Sequence, residues 1–223
     1  MFQTPRFYAF CVFLWIFQTP ASYAGLIFSK TKVAAEETKE PPIRRMEVLL
    51  VIDMQETFVA SKDERTIQGV QELITEAREK NHYIIYVKYC GCTPVFPRLI
   101  DLTMSYADRA IVGKAEDDGS KQVLSWLKRK NIVPIHFHVC GVNTSACVFS
   151  TVMGLSQKNV CPITVHAKGC NGESFHFWGL FQMTKLHQTT VVPTPADPGG
   201  LGPGEESELS DDERCEESVS TEV

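Results

Sequence analysis

Short, nearly unbroken apolar runs alternate along the chain with longer segments in which apolar residues recur every three or four positions. The runs at 47–52, 83–88 and 133–139 are rich in valine and isoleucine, the mark of strands, and the near-continuous run at 83–88 reads as one buried on both faces. Shorter runs ending near Gly113, at 163–165 and at 189–192 read as three more strands. Between them, residues 66–80 set Ile67, Val70, Leu73, Ile74 and Ala77 on one helical face, opposite a solvated Glu/Lys side. Residues 118–130, with Val123, Leu124 and Leu127 inward, and 175–187 also read as helices. A further helix starts at Thr144 or Ser145, either of which can cap it, and its apolar side is Cys147, Val148, Thr151 and Leu155. Residues 90–107 have no clear period and read as a long loop over one end of the sheet. Strands alternating with helices at this spacing predict an α/β class, three-layer and Rossmann-like, with right-handed crossovers about a mostly parallel six-stranded sheet.

Both ends depart from this pattern. Arg6 precedes the apolar run 7–17, and Ser22 and Ala24 supply a small-x-small exit, so residues 1–24 read as a secretory signal peptide cut after Ala24. The run is short for a membrane span, which disfavours an uncleaved anchor and leaves no membrane association after cleavage. Export implies a secreted or periplasmic protein. Residues 25–45 are polar, run into Pro41-Pro42 and read as a flexible linker to a domain at 46–193. From 194 the chain turns rich in proline and glycine, then acidic: nine Asp/Glu stand in 205–223 against Arg214 alone. That tail carries more negative charge than the whole chain's −5, so the body is slightly positive and the tail reads as disordered, a candidate contact for an unknown partner. The body has no basic stripe interleaved with aromatics, which argues against nucleic-acid binding. With 223 residues, 43% hydrophobic, the chain supports one sizeable core.

Three positions carry candidate chemistry. Cys147 falls in the first turn of a helix that follows directly on a strand, where unpaired N–H groups and the helix dipole favour a thiolate. Asp53 ends one apolar run and Lys114 ends another. The order of Asp53-Met-Gln-x-x-Phe58, Lys114 and Gly141-Val-x-Thr144-x-x-Cys147-Val resembles the isochorismatase-like cysteine hydrolases, over about residues 46–193. That superfamily includes isochorismatases, nicotinamidases and N-carbamoyl amidohydrolases. The resemblance implies strand order 3-2-1-4-5-6, which places Asp53 and Cys147 at a switch point where ligands bind. It implies Cys147 as nucleophile, Asp53 as proton acceptor and donor, and Lys114 as their charge partner. It also implies a cis peptide after Val142, with the backbone N–H groups of Asn143 and Cys147 forming an oxyanion hole, and no cofactor. Phe58, and Phe96 from the long loop, are the expected pocket aromatics for a small-molecule substrate. Beside Lys114, Cys147 is expected to be the one strongly acidic thiol.

Metal-dependent nicotinamidases carry Asp-x-His and a further His between the Asp and the Lys, whereas this region offers only His82, so no metal is expected at the site. His136, His138 and Cys140 alternate on one strand but read as satisfied core residues. Glu116-Asp-Asp-Gly119 stands where the resembling family often has an aromatic, and His166-Ala167 where it often has Asp-Ala. Of eight cysteines, Cys11 leaves with the signal peptide, and pairings among Cys90, Cys92, Cys161 and Cys170 stay open. The leading reading is an exported cysteine hydrolase that cleaves a small amide or carbamoyl substrate through a thioester. The alternatives are isochorismatase-type vinyl-ether hydrolysis, a non-catalytic exported interaction protein on the same fold, and a thiol redox protein using Cys90 and Cys92. Homo-oligomerisation is compatible with all of them.

Overall fold

The computed structural model describes residues 42–172 and 175–194. The signal peptide, most of the linker and the acidic tail expected from the sequence lie outside the described residues. In chain order the elements are β1 (Arg44–Ile52), α1 (Glu64–Glu79), β2 (Tyr83–Tyr89), α2 (Pro97–Asp101), β3 (Arg109–Lys114), α3 (Ser120–Arg129), β4 (Ile132–Val142), α4 (Phe149–Gln157), β5 (Ile163–Asn171), α5 (His176–Met183) and β6 (Thr189–Val192). The six strands form one sheet in the order β3-β2-β1-β4-β5-β6, every pairing parallel. The α/β class and the strand order match the expectation. No described helix is long and apolar enough to cross a membrane.

The centre of the sheet is apolar on both faces because helices cover both. Val48, Leu49, Leu50, Val51 and Ile52 of β1 and Ile84, Ile85 and Val87 of β2 are buried. On one face α1 lies close to β5, since a Cβ on Gly69 would fall 2.0 Å from the Lys168 carbonyl oxygen. On the other, α3 packs beneath β2, where the Trp126 indole N–H donates to the Tyr83 hydroxyl at 3.2 Å. Asp63 caps α1, accepting from the Thr66 N–H at 2.9 Å and from its hydroxyl at 2.7 Å.

Local boundaries differ from the sequence reading for identifiable reasons. The sheet starts earlier than the expected linker end, because Arg44 pairs with both oxygens of Asp108 at 2.8 and 2.6 Å and draws its strand into register. The long loop contains α2, held when the Tyr86 hydroxyl donates to the Leu99 carbonyl at 2.8 Å. All six described cysteines are free thiols, Cys140 and Cys170 within the core.

Candidate active site

Asp53, Lys114 and Cys147 come together at the carboxyl ends of β1, β3 and β4. β3 alternates with Ala110, Val112 and Lys114 inward, so this lysine points beneath the covering segments despite its edge strand. Straight continuation of β1 would send Asp53 to the α1 face with Leu49 and Val51, away from Lys114. Instead Asp53 takes a left-handed backbone conformation, φ 53°, while its N–H still donates to Val87 at 2.8 Å. The turn carries its carboxylate across the end of the sheet, and Asp53 Oδ2 lies 2.9 Å from Lys114 Nζ, both side chains 0% exposed. Backbone strain of this kind collects where a side chain must be aimed.

Gly141 lets β4 reach the same point. Its φ is +135°, and a Cβ there would sit 2.1 Å from the Ile52 carbonyl oxygen of β1. Asn143 then turns left-handed, φ 59° and ψ 55°, and residues Thr144–Val148 form one π-helical turn before α4. Asn143, rather than Thr144 or Ser145, occupies the cap position, and its carbonyl accepts from the Ala146 N–H at 2.9 Å. No cis peptide bond occurs among the described residues, so the bond after Val142 is trans and the left-handed Asn143 makes the reversal. Thr144 is turned inward, donating to the Asn171 carbonyl at 2.7 Å.

Cys147 is 3% exposed. Burial first, then the adjacent Asp53 carboxylate, push its thiol up to about 12, against the opposing pull of Lys114. The expected acidic thiol is therefore wrong for this closed state: desolvation outweighs the ammonium and the helix start. Burial also raises the Asp53 carboxyl, although Cys147 and Lys114 work the other way. Burial alone would lower the Lys114 ammonium, but Asp53 and the thiol outweigh it and raise it. Among the described residues none gives either Asp53 oxygen a well-aligned hydrogen bond, so charge pairing with Lys114 carries the ionised form. The cluster rests as a neutral thiol beside a carboxylate of raised proton affinity.

Residues without an assigned role in the sequence reading complete the surroundings. Gln55 is fully buried; its amide oxygen accepts from the Tyr89 N–H at 2.7 Å, and its amide nitrogen donates to the Thr93 carbonyl. It thereby ties the end of β2 to the turn after β1. The Tyr89 ring lies 4.6 Å from Lys114 Nζ, and Phe58 meets Tyr89 edge-on at 6.5 Å. Phe58 thus reaches the site through Tyr89. Phe96 sits farther along the covering loop, its N–H donating to the Met54 carbonyl at 3.0 Å and its ring beneath Arg98.

The acidic 116–119 segment closes the other side. Lys114 Nζ donates to the Glu116 carbonyl at 3.3 Å, and the Gly119 N–H donates to the Thr151 hydroxyl at 3.0 Å. A second carboxylate follows, with Asp117 Oδ1 3.4 Å from Cys147 Sγ. Its only sequence signal was the departure from the family pattern just after Lys114.

Fold and site together define a doubly wound α/β protein with a buried Asp–Lys–Cys cluster at its switch point. The chain belongs to the isochorismatase-like hydrolase superfamily, the Isochorismatase domain model matching residues 47–195. A nicotinamidase from Staphylococcus aureus superimposes with TM-score 0.56 at 18% identity, covering 66% of this chain and 99% of that one. An N-carbamoylsarcosine amidase from Thermoplasma acidophilum gives 0.53 at 15%, covering 66% and 95%. A structure described as a ribonuclease from Caenorhabditis elegans gives 0.55 at 18%, covering 67% and 78%. At these identities the likeness is one of fold. No curated protein matches the sequence significantly.

Proposed function

We propose that the protein is an exported cysteine hydrolase cleaving a small amide or carbamoyl substrate through a thioester. The observation that carries this reading is the 2.9 Å pairing of buried Lys114 and Asp53 against the Cys147 thiol. A buried ion pair is expensive to maintain for stability alone.

In the proposed reaction the Cys147 S–H proton passes to Asp53 as sulfur bonds to the substrate carbonyl carbon. A thiol held near 12 holds few thiolates at neutral pH, so proton transfer and attack are coupled. The oxyanion is met by the backbone N–H groups of Asn143 and Cys147. Protonated Asp53 gives its proton to the leaving nitrogen as the C–N bond breaks, leaving a thioester and an amine or ammonia. Water then loses a proton to Asp53 and attacks the thioester; the C–S bond breaks, and the sulfur regains a proton from Asp53. Lys114 stays charged throughout and keeps the carboxylate from holding its proton too tightly. Because Cys147 is almost closed off, a substrate enters by displacing a covering segment, for which the exposed residues 115–117 are the readiest.

Ammonia release across a panel of small primary amides and carbamoyl compounds, with intact-mass detection of an acyl adduct, tests this. Turnover and adduct should both disappear in Cys147→Ala. An active Cys147→Ala variant would remove the cysteine mechanism. Export is tested on the full chain expressed in a secreting host: the secreted protein should begin at Gly25, and retention with Met1 intact would refute it.

A further inference from the structure

At the amino-terminal half of the strands, away from the Cys147 site, four histidines and a glutamate gather on the α1 face. A β-bulge in β4 puts two of them, His136 and His138, there. Met46 pairs with Pro134 but Glu47 pairs with His136, so Ile135 is the extra residue. Without it His136 and His138 would fall on the opposite face, beside Val48 and Leu50, because a one-residue slip reverses every side chain. With it they flank Glu47 and Leu49. The sequence reading took both histidines for core residues, but His138 keeps a 20% exposed side chain and Glu47 37%.

We infer that Glu47, His136 and His138 form a binding site for a divalent transition-metal ion such as zinc or nickel. One donor atom from each lies within 4.8 Å of the other two. Tetrahedral zinc with bonds of about 2.0 Å needs donors about 3.3 Å apart, so binding closes the set by turning the His136 or His138 ring out of their 4.6 Å stack. Imidazole with one carboxylate suits zinc, nickel or copper rather than magnesium or calcium.

The surroundings hold these side chains as an outer shell would. His138 Nε2 is 2.8 Å from Glu47 Oε2, and its Nδ1 is 3.0 Å from His166 Nε2. If the first nitrogen binds the ion, the second donates to His166 and fixes the tautomer. His82 Nε2 reaches the same Glu47 oxygen at 3.3 Å, and Thr164 holds the His136 ring at 2.8 Å. The rings of His136 and His82 lie against His138 with centroids 4.6 and 5.2 Å away, while His166 meets it edge to edge through the hydrogen bond. Beside them is a cavity of about 20 Å³ lined by Leu49, Leu73, Glu76, His82, His138 and His166. Of the three proposed ligands only His138 lines it, and it has room for one water.

The test uses full-length protein without a histidine tag, in a Cys90→Ser, Cys92→Ser background that removes the more exposed thiols. Cobalt(II) is titrated in, followed by visible absorption and by hyperfine-shifted imidazole signals in NMR, with zinc as competitor. One equivalent should bind, shift histidine ring signals, and be displaced by zinc. Glu47→Gln and His136→Gln should each weaken binding at least about tenfold, while Cys147→Ala leaves it unchanged. Should either ligand variant misfold, the NMR signals of the unsubstituted site decide. Failure to bind cobalt in excess, or binding without shifted histidine signals, overturns the proposal, as does affinity that survives both ligand substitutions.

Discussion

Replacing Lys114 by Met tests whether the ammonium is what allows Asp53 to stay ionised. The two side chains are wholly buried and 2.9 Å apart, and no other well-aligned donor among the described residues serves Asp53. Removing one partner of a buried pair costs about 3–5 kcal/mol. The carboxylate limits that loss by taking up a proton, so the loss must depend on pH. In the variant the folded-state Asp53 pKa is raised well above the unfolded value of about 3.9. Stability relative to wild type is therefore largely retained below the folded-state pKa of wild-type Asp53, itself raised by burial, and falls as pH rises, by about 1.4 kcal/mol per unit, until the variant's folded pKa is passed. A total of about 3–5 kcal/mol spreads over roughly 2–4 pH units. Urea unfolding of wild type, Lys114→Met and Asp53→Asn/Lys114→Met at pH 5, 6.5 and 8 measures it. The single variant should lose least at pH 5, and the double variant should recover most of the loss at pH 8. A pH-independent loss, or one below about 1 kcal/mol at pH 8, would refute the argument.

Other outcomes follow from particular contacts. Iodoacetamide at neutral pH should modify exposed Cys90 and half-exposed Cys92 well before Cys147, whose burial and raised thiol both protect it, as peptide mass spectrometry will show. Asp117→Asn removes a carboxylate 3.4 Å from Sγ and should speed Cys147 labelling several-fold without changing the secondary structure; an unchanged rate would show that Asp117 does not act on the thiol. Gly141→Ala forces a Cβ to 2.1 Å from the Ile52 carbonyl at φ +135°, and should cost about 3 kcal/mol or more in urea unfolding. Asp63→Ala deletes the α1 cap and should cost about 1 kcal/mol. Bonding to Thr66 holds the Asp63 carboxyl below its usual value, so that contribution is present above the unfolded pKa and fades as pH falls through the folded one.

The sequence by itself determined the α/β class, the helical face of Ile67, Val70, Leu73, Ile74 and Ala77, and the three polar residues that end β1, end β3 and follow β4. Hydrophobic period is a local property, and each of these elements has one face that only burial satisfies. The strand order and the convergence of Asp53, Lys114 and Cys147 came from the motif resemblance, since pairing between distant strands leaves no mark in local periodicity. Tertiary structure alone decided the rest. The left-handed turn at Asp53 is fixed by where β2 and Lys114 lie, not by the residues beside it. Position in the chain placed Cys147 at a helix start, where a thiolate is favoured, but packing closed it off and left Asp53 beside it, which reversed the sign of the shift. Asp117 lay in a segment noted only as atypical, and the loop's path over Lys114 brought it to the sulfur. The histidines read as core because a bulge cannot be seen in a run of alternating residues. One extra residue in β4 moved them beside Glu47, and a one-residue register shift is a relation between two strands that neither strand's sequence records.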